Sequence, residues 1–316
     1  MTKRAFTFPG QGSQAVGMGK DLAAAYPEAQ AVFDEVDAAL GQKLSAIMFE
    51  GFDETLRLTE NAQPALMAVS MAVIRVLEAR GIAVASHAAY VAGHSLGEYS
   101  ALCAAGTFSI ADTARLLKLR GQAMQQAVPV GQGAMAAILG LDLPTVERAA
   151  ADATDGEVCA VANDNAPGQV VISGHVGAVN RAIELCKAAG AKRALPLPVS
   201  APFHCPLMRP AADAMEAALE RVAMNAPVVP LICNVTARPI SDPAEIRKRL
   251  VEQVTGMVRW TESVQWLAGE GGVTNLVELG SGKVLSGLAK RIAPDAAAVA
   301  VGTPADVDAL VAALGA

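Results

Sequence analysis

Apolar positions recur along this chain with two periods, and where the period changes the organisation changes too. Arg4 to Phe8 is an apolar run of strand length, closed by the turn-rich PGQGSQ. Residues 21–40 and 63–80 then carry apolar side chains at helical spacing, the second stretch ending at Gly81. A strand is predicted over 88–92, and a helix over 109–127 with Ser109 as its cap. From there the elements shorten: strand 133–139, helix 143–153, strands 157–162 and 169–173, helix 175–189 and strand 193–199. That β-α-β-β-α-β order is the split pattern of a ferredoxin-like unit. Helix 206–224, strand 229–235, helix 243–255, strand 274–279, a strand near 297–301 and a closing helix restore the alternation of a mostly parallel sheet. The pattern describes an α/β protein with a large discontinuous domain, 1–128 and 200–316, interrupted by a small ferredoxin-like subdomain at 129–199. The cleft between the two is the expected place for a site.

The strand at 88–92 runs into YVAGHSLGEYSAL, where Gly93, Ser95 and Gly97 fit G-x-S-x-G. In α/β-hydrolase-like sheets that sharp strand-to-helix turn holds a serine hydroxyl out as a nucleophile. Ser95 and Glu98 equally fit S-x-x-E, a capping box before Ala101, Leu102 and Ala104. Both put Ser95 at a helix N-terminus, so the stretch alone leaves the choice open. FPGQGSQA poses a similar one: Gly10, Gly12 and Ala15 form G-x-G-x-x-A after a strand, with Asp34 and Glu35 about twenty residues on, as in a dinucleotide site. The acidic residue should then end a second strand, whereas 28–40 has helical spacing through Val32, Val36, Ala39 and Leu40. A plain tight turn remains, and so does a third role, a backbone N–H beside Ser95 serving as half of an oxyanion hole.

A nucleophilic serine needs a base. Of the four histidines, His94 adjoins Ser95 and points elsewhere, while His87 and His175 occupy loop and helix-start positions. His204 lies in PVSAPFHCPLM, between Pro202 and Pro206, where the chain leaves the subdomain at the cleft. A structural loop histidine fits there as readily as a base. Cys205 beside it reads as a small buried filler, because adjacent side chains diverge. In helix 109–127 the polar face is Arg115, Lys118, Gln122 and Gln125, and Arg120 lies off it with Leu116, Leu117, Ala123 and Met124. A guanidinium on an apolar face needs an anion, either a buried Asp or Glu or a substrate carboxylate gripped bidentately. Gln253 shares a face with Ile246 and Leu250 and raises the same question, although an amide there could equally satisfy backbone.

Composition narrows the classes. With 316 residues, 53% of them hydrophobic, the chain can bury a large core. MTKRAFTF is too short an apolar stretch for a secretory leader, and charges, Gly or Pro interrupt every apolar run before membrane-spanning length, which makes the cytoplasm the expected compartment. Five scattered cysteines without C-x-x-C spacing indicate reduced thiols and no metal. A net charge of -6, no basic cluster and few aromatics argue against nucleic acid.

Six segments, FPGQGSQ, GHSLGEYSAL, LLKLRGQAMQ, NDNAPGQVVISG, SAPFHCPLM and VELGSGKVLSGLAKR, occur in an order that resembles the malonyl-CoA:acyl carrier protein transacylase family over nearly the whole chain. The resemblance implies that Ser95 is the acylated nucleophile and His204 its general base, with no third, acidic member. It also implies oxyanion-hole amides from Gln11 and Leu96, a malonate carboxylate on Arg120, and a main-chain carbonyl of Gln253 that orients the histidine. Phe203, Met124 and Asn165 are expected around the substrate. Phe203 before His204 resembles malonyl-selecting relatives, where methylmalonyl-selecting ones tend to have serine, because a bulky ring leaves less room for a methyl group. Malonyl-CoA and acyl carrier protein are the implied partners, with no resident cofactor and a monomer as the working unit. Lys192, Arg193, Lys283, Lys290 and Arg291 are candidates for docking an acidic carrier. Ser281 departs from the family's GPGKVL turn by replacing its proline, so any rigidity there needs another source. A serine hydrolase and a binding module that kept the fold are the rival classes, separated by the lifetime and existence of an acyl-serine.

Overall fold

The computed structural model describes residues 3–199 and 201–315, and among these eleven strands form two sheets. In chain order the strands are β1 (Arg4–Phe8), β2 (Tyr90–Gly93), β3 (Gly133–Leu139), β4 (Cys159–Ala166), β5 (Gln169–His175), β6 (Arg193–Pro196), β7 (Leu231–Ile232), β8 (Pro239–Ile240), β9 (Val258–Arg259), β10 (Asn275–Leu279) and β11 (Ala297–Val301). The large sheet runs β11-β10-β1-β2-β7-β8, parallel except for β8. β1 and β2 pair in register up to Phe8 opposite Gly93, so their C-terminal ends release the PGQGSQ loop and the Ser95 turn side by side. Ligands favour this carboxyl edge of a parallel sheet.

The second sheet runs β6-β3-β5-β4-β9. Its first four strands have the order and antiparallel pairing of a split β-α-β-β-α-β unit. The fifth, β9, comes from much later in the chain and lies parallel to β4, with Asn163 opposite Val258. Ser200, where the sequence reading returns the chain to the large domain, lies outside the described residues, as do Met1, Thr2 and Ala316.

Helix Thr59–Ala79 fills the middle of the core, with most of its length buried. It is long and apolar enough to cross a membrane, but 83% of its apolar window is covered by protein. Glu60, Pro64 and Arg75 interrupt its apolar run as expected, but the helix starts earlier than its spacing suggested and continues through Pro64. The helix expected over 21–40 is two, Lys20–Ala25 and Pro27–Leu40, parted by an extended Tyr26. A residue before proline avoids the helical region, which accounts for the break. The helix expected over 206–224 is a 3-10 turn, Pro206–Met208, followed by Arg209–Leu219. The strand expected over 229–235 contracts to β7, which leaves Asn234 beyond its end.

Candidate active site

Ser95 stands between β2 and helix Leu96–Ala104 with φ 53 and ψ -109, a backbone conformation that side chains rarely adopt. Its neighbours allow it because they lack side chains. A Cβ on Gly97 would meet the Phe8 carbonyl oxygen at 2.2 Å, and one on Gly93 would meet the Gly97 carbonyl oxygen at 1.9 Å. Asn234 clamps the turn from both sides, accepting from the Ser95 N–H at 2.8 Å and donating to the Gly93 carbonyl at 2.7 Å. The capping-box reading fails: the Ser95 side chain makes no cap hydrogen bond, and Glu98 is buried. Glu98 accepts from the Asn234 N–H at 3.0 Å and from Gln253 Nε2 at 2.6 Å. The hydroxyl is thereby left free for other partners.

One of these is His204, whose Nε2 lies 2.7 Å from Ser95 Oγ. His204 Nδ1 is 2.8 Å from the Gln253 carbonyl oxygen. A carbonyl only accepts, so Nδ1 carries the proton and Nε2 presents its lone pair to the serine. His204 also has a positive φ, 56, and is 4% exposed. Burial, then the nearby Arg120 charge, lowers its pKa to about 3, so the ring is neutral at ordinary pH.

Arg120 is 1% exposed, as its place on the apolar face of helix Ile110–Gln126 requires. The next residue, Gly121, lets that helix approach closely, since a Cβ there would meet Glu60 Cα at 2.5 Å. The expected alternatives, a buried acid or a substrate, are decided in part: Arg120 donates to Gln63 Oε1 and Gln253 Oε1, both at 2.8 Å, and to Ser95 Oγ at 3.1 Å. All three are neutral. The ring of Tyr99 lies 5.6 Å from the guanidinium carbon. Burial lowers the pKa of Arg120 and raises that of Glu98 to about 7. Gln63 and Asn234 escaped the sequence reading. Gln63 sits in an otherwise apolar helical stretch and Asn234 ends an apolar strand; a buried polar side chain in such a run was the available signal.

These groups line a pocket of about 690 Å³, within the range of small-molecule sites. Gln11, Leu96, Met124, Phe203 and Asn165 lie on its wall with Ser95, Arg120 and His204. Gln253 is fully buried behind it. Leu96 opens its helix, where the first N–H groups have no intrahelical acceptor. Gly12 N–H is taken by Gln14 Oε1 within the glycine-rich loop. His94 does point away from Ser95: its Nε2 lies 2.8 Å from Asn165 Oδ1, which joins the Ser95 turn to β4 across the cleft. Cys205 is buried and donates to the Pro202 carbonyl. Ser281 Oγ donates to the Ser13 carbonyl at 2.8 Å, tying its turn to the glycine-rich loop. Lys192 and Arg291 line a second pocket that shares no residue with the first.

The profile of the family described as acyl transferase domain matches residues 5–281. The chain is 50% identical over 304 residues to the malonyl CoA-acyl carrier protein transacylase of Escherichia coli strain K12, covering 96% of this chain and 97% of that one. It is 47% identical over 309 residues to the protein of that name from Bacillus subtilis strain 168, covering 98% and 96%. The crystal structure of acyl-carrier-protein-S-malonyltransferase from Bartonella henselae aligns over the whole of both chains with a TM-score of 0.97 at 57% identity. A malonyl-transacylase solved in complex with its type II polyketide-synthase acyl-carrier protein aligns at 0.95 with 45% identity, over 99% of this chain and all of that one.

Proposed function

This chain belongs to the malonyl CoA-acyl carrier protein transacylases of the acyl transferase domain family, and from that premise we infer that Ser95 and His204 act as a dyad in a ping-pong transfer. The reaction moves a malonyl group from malonyl-CoA to the phosphopantetheine thiol of acyl carrier protein, for fatty-acid or polyketide assembly. In the first half, His204 Nε2 takes the Ser95 proton as Oγ attacks the thioester carbonyl. The Gln11 and Leu96 N–H groups meet the developing oxyanion, aided by the start of helix Leu96–Ala104. The C–S bond breaks, CoA leaves with the proton from His204, and malonyl-Ser95 remains. In the second half the carrier thiol gives its proton to His204 and attacks the ester. The C–O bond breaks and Ser95 recovers the proton.

The observation that carries this reading is the buried Arg120, held by neutral groups and aimed at the nucleophile. Glu98 acts on Arg120 only through space, and a substrate carboxylate would supply the directly bonded anion that its hydrogen-bond partners are not. Phe203, Met124 and Asn165 shape the rest of the acyl and thioester path, and Gln253 supports both the histidine and the arginine. A monomer is the proposed working unit, with the cytoplasm as its proposed place.

Intact-protein mass spectrometry after mixing with malonyl-CoA, acetyl-CoA and methylmalonyl-CoA in competition tests the scheme, with Ser95→Ala as the control. The expected result is a malonyl adduct that is absent from the variant and discharges onto added carrier protein. Free malonate accumulating without an adduct would make the protein a hydrolase, and neither adduct nor malonate would leave a binding module.

A further inference from the structure

We propose that Arg120 is a latch on the nucleophile, opened by the carboxylate of the substrate itself. This rests on the malonyl-transfer reading and concerns what the same arginine does before substrate arrives. Ser95 Oγ is held from two sides, 2.7 Å from His204 Nε2 and 3.1 Å from Arg120 Nη2. The histidine contact takes the hydroxyl proton and prepares attack. The arginine contact works against attack, because a cationic donor draws on the oxygen electrons that must form the new bond. Nη2 also donates to Gln253 Oε1, and Nη1 to Gln63 Oε1, so the guanidinium is held toward the serine by two amides.

Those amides are themselves fixed. Gln253 Nε2 donates to Glu98 Oε2 and to the Ser95 carbonyl, and Gln63 Nε2 faces Met124 Sδ at 3.7 Å, which turns both amide oxygens to Arg120. Glu98 is the nearby acid, and its two oxygens are taken by Gln253 and the Asn234 N–H. A carboxylate entering the pocket is thus the first charged acceptor within reach of the guanidinium. The bond to Ser95 Oγ has one charged partner, whereas a carboxylate adds full charge–charge attraction and bidentate geometry, so Nη2 exchanges Ser95 Oγ for the newcomer. The serine keeps its bond to His204 and loses the one that restrains it.

The same exchange acts on the base. The charged and titratable groups around His204 are Arg120 from helix Ile110–Gln126, His94 from the Ser95 turn and Glu98 from helix Leu96–Ala104, and a substrate carboxylate changes the field of the first. Burial, and after it the Arg120 charge, lowers the proton affinity of His204, and an anion on Arg120 offsets the second of these. A neutral acyl thioester does neither. Selection of malonyl over acetyl groups then resides in the rate of acylation as well as in binding.

The test uses a small uncharged dialkyl fluorophosphate, which labels Ser95 as the Oγ–P bond forms, the P–F bond breaks and the proton passes to His204. Labelling of the native protein is followed by intact mass with sodium formate, with its neutral isostere formamide, and with neither, at fixed ionic strength. Formate is expected to accelerate labelling by about tenfold, a barrier change of about 1.4 kcal/mol. Formamide is expected to have no effect, and Arg120→Ala to label at least as fast as the formate-treated native protein whether or not formate is present. Labelling that formate leaves unchanged or slows in the native protein overturns the latch, a result that needs no variant to fold. A malonyl-Ser95 adduct formed from malonyl-CoA in the same preparation keeps the transfer reading intact whichever way the formate result falls.

Discussion

Glu98 is buried beneath the dyad and holds its proton up to about pH 7, where an ordinary glutamate titrates near 4.5. An acid with a raised folded pKa stabilises the fold at low pH and loses that contribution as pH rises, here between about 4.5 and 7. His204 works in the opposite sense. Its folded value of about 3 lies below the ordinary 6.5, so its contribution is present above 6.5 and lost as pH falls toward 3. The two slopes oppose each other over the shared window. In Glu98→Gln the acid's slope disappears, so the gain in unfolding free energy from pH 5 to pH 7 should exceed the native gain by ~2 kcal/mol. Urea unfolding at both pH values reads this, and equal pH dependence in the two proteins would mean that Glu98 is ionised throughout. At this scale the sequence singled out Ser95 by its turn, His204 by its rigid setting and Arg120 by its misplacement on an apolar face, and left each of them with a structural alternative. Gln63 and Asn234 were hidden because their partners, Arg120 and Ser95, lie 57 and 139 residues away.

Among the elements, those with sustained apolar spacing were legible nearly to the residue, as β3 and helix Pro243–Thr255 show. Short elements such as helices Leu44–Glu50 and Asp53–Arg57, or the two-residue strands β7 to β9, had no room for a period. Packing against distant segments determines them. The turn from Leu279 into helix Val284–Ile292 shows how one element can stiffen another. Ser281 donates its hydroxyl to the Ser13 carbonyl and so braces the loop that carries Gln11. Ser281→Ala should lower stability by about 1 kcal/mol and raise hydrogen exchange across residues 10–17. An unchanged exchange pattern in that loop would make the bond incidental.

Over the whole molecule, the ferredoxin-like unit was legible as a pattern, while its fifth strand was not. β9 follows helix Pro243–Thr255, which carries Gln253, and pairs with β4. Around it one apolar cluster joins Ala5 and Ala92 of the large sheet to Ala166 and Val258 of the small one, with Trp260 between them. The two sheets should therefore unfold together: urea curves followed by far-UV circular dichroism and by tryptophan emission should coincide, and separated midpoints would show two independent units. β10 has a further consequence, for the order in which the protein is made. It lies against β1 at the middle of the large sheet, although its residues are among the last to be synthesised. At ordinary translation speeds β1 leaves the ribosome on the order of 10 to 50 s before its neighbour exists. Late in that interval, between the synthesis of His204 and that of Gln253, the nascent chain holds Ser95 and His204 with an open strand edge and no Gln253. The β1 edge thus stays unpaired on that side until β10 is made, and the carbonyl that orients His204 joins the site only after four-fifths of the chain exists.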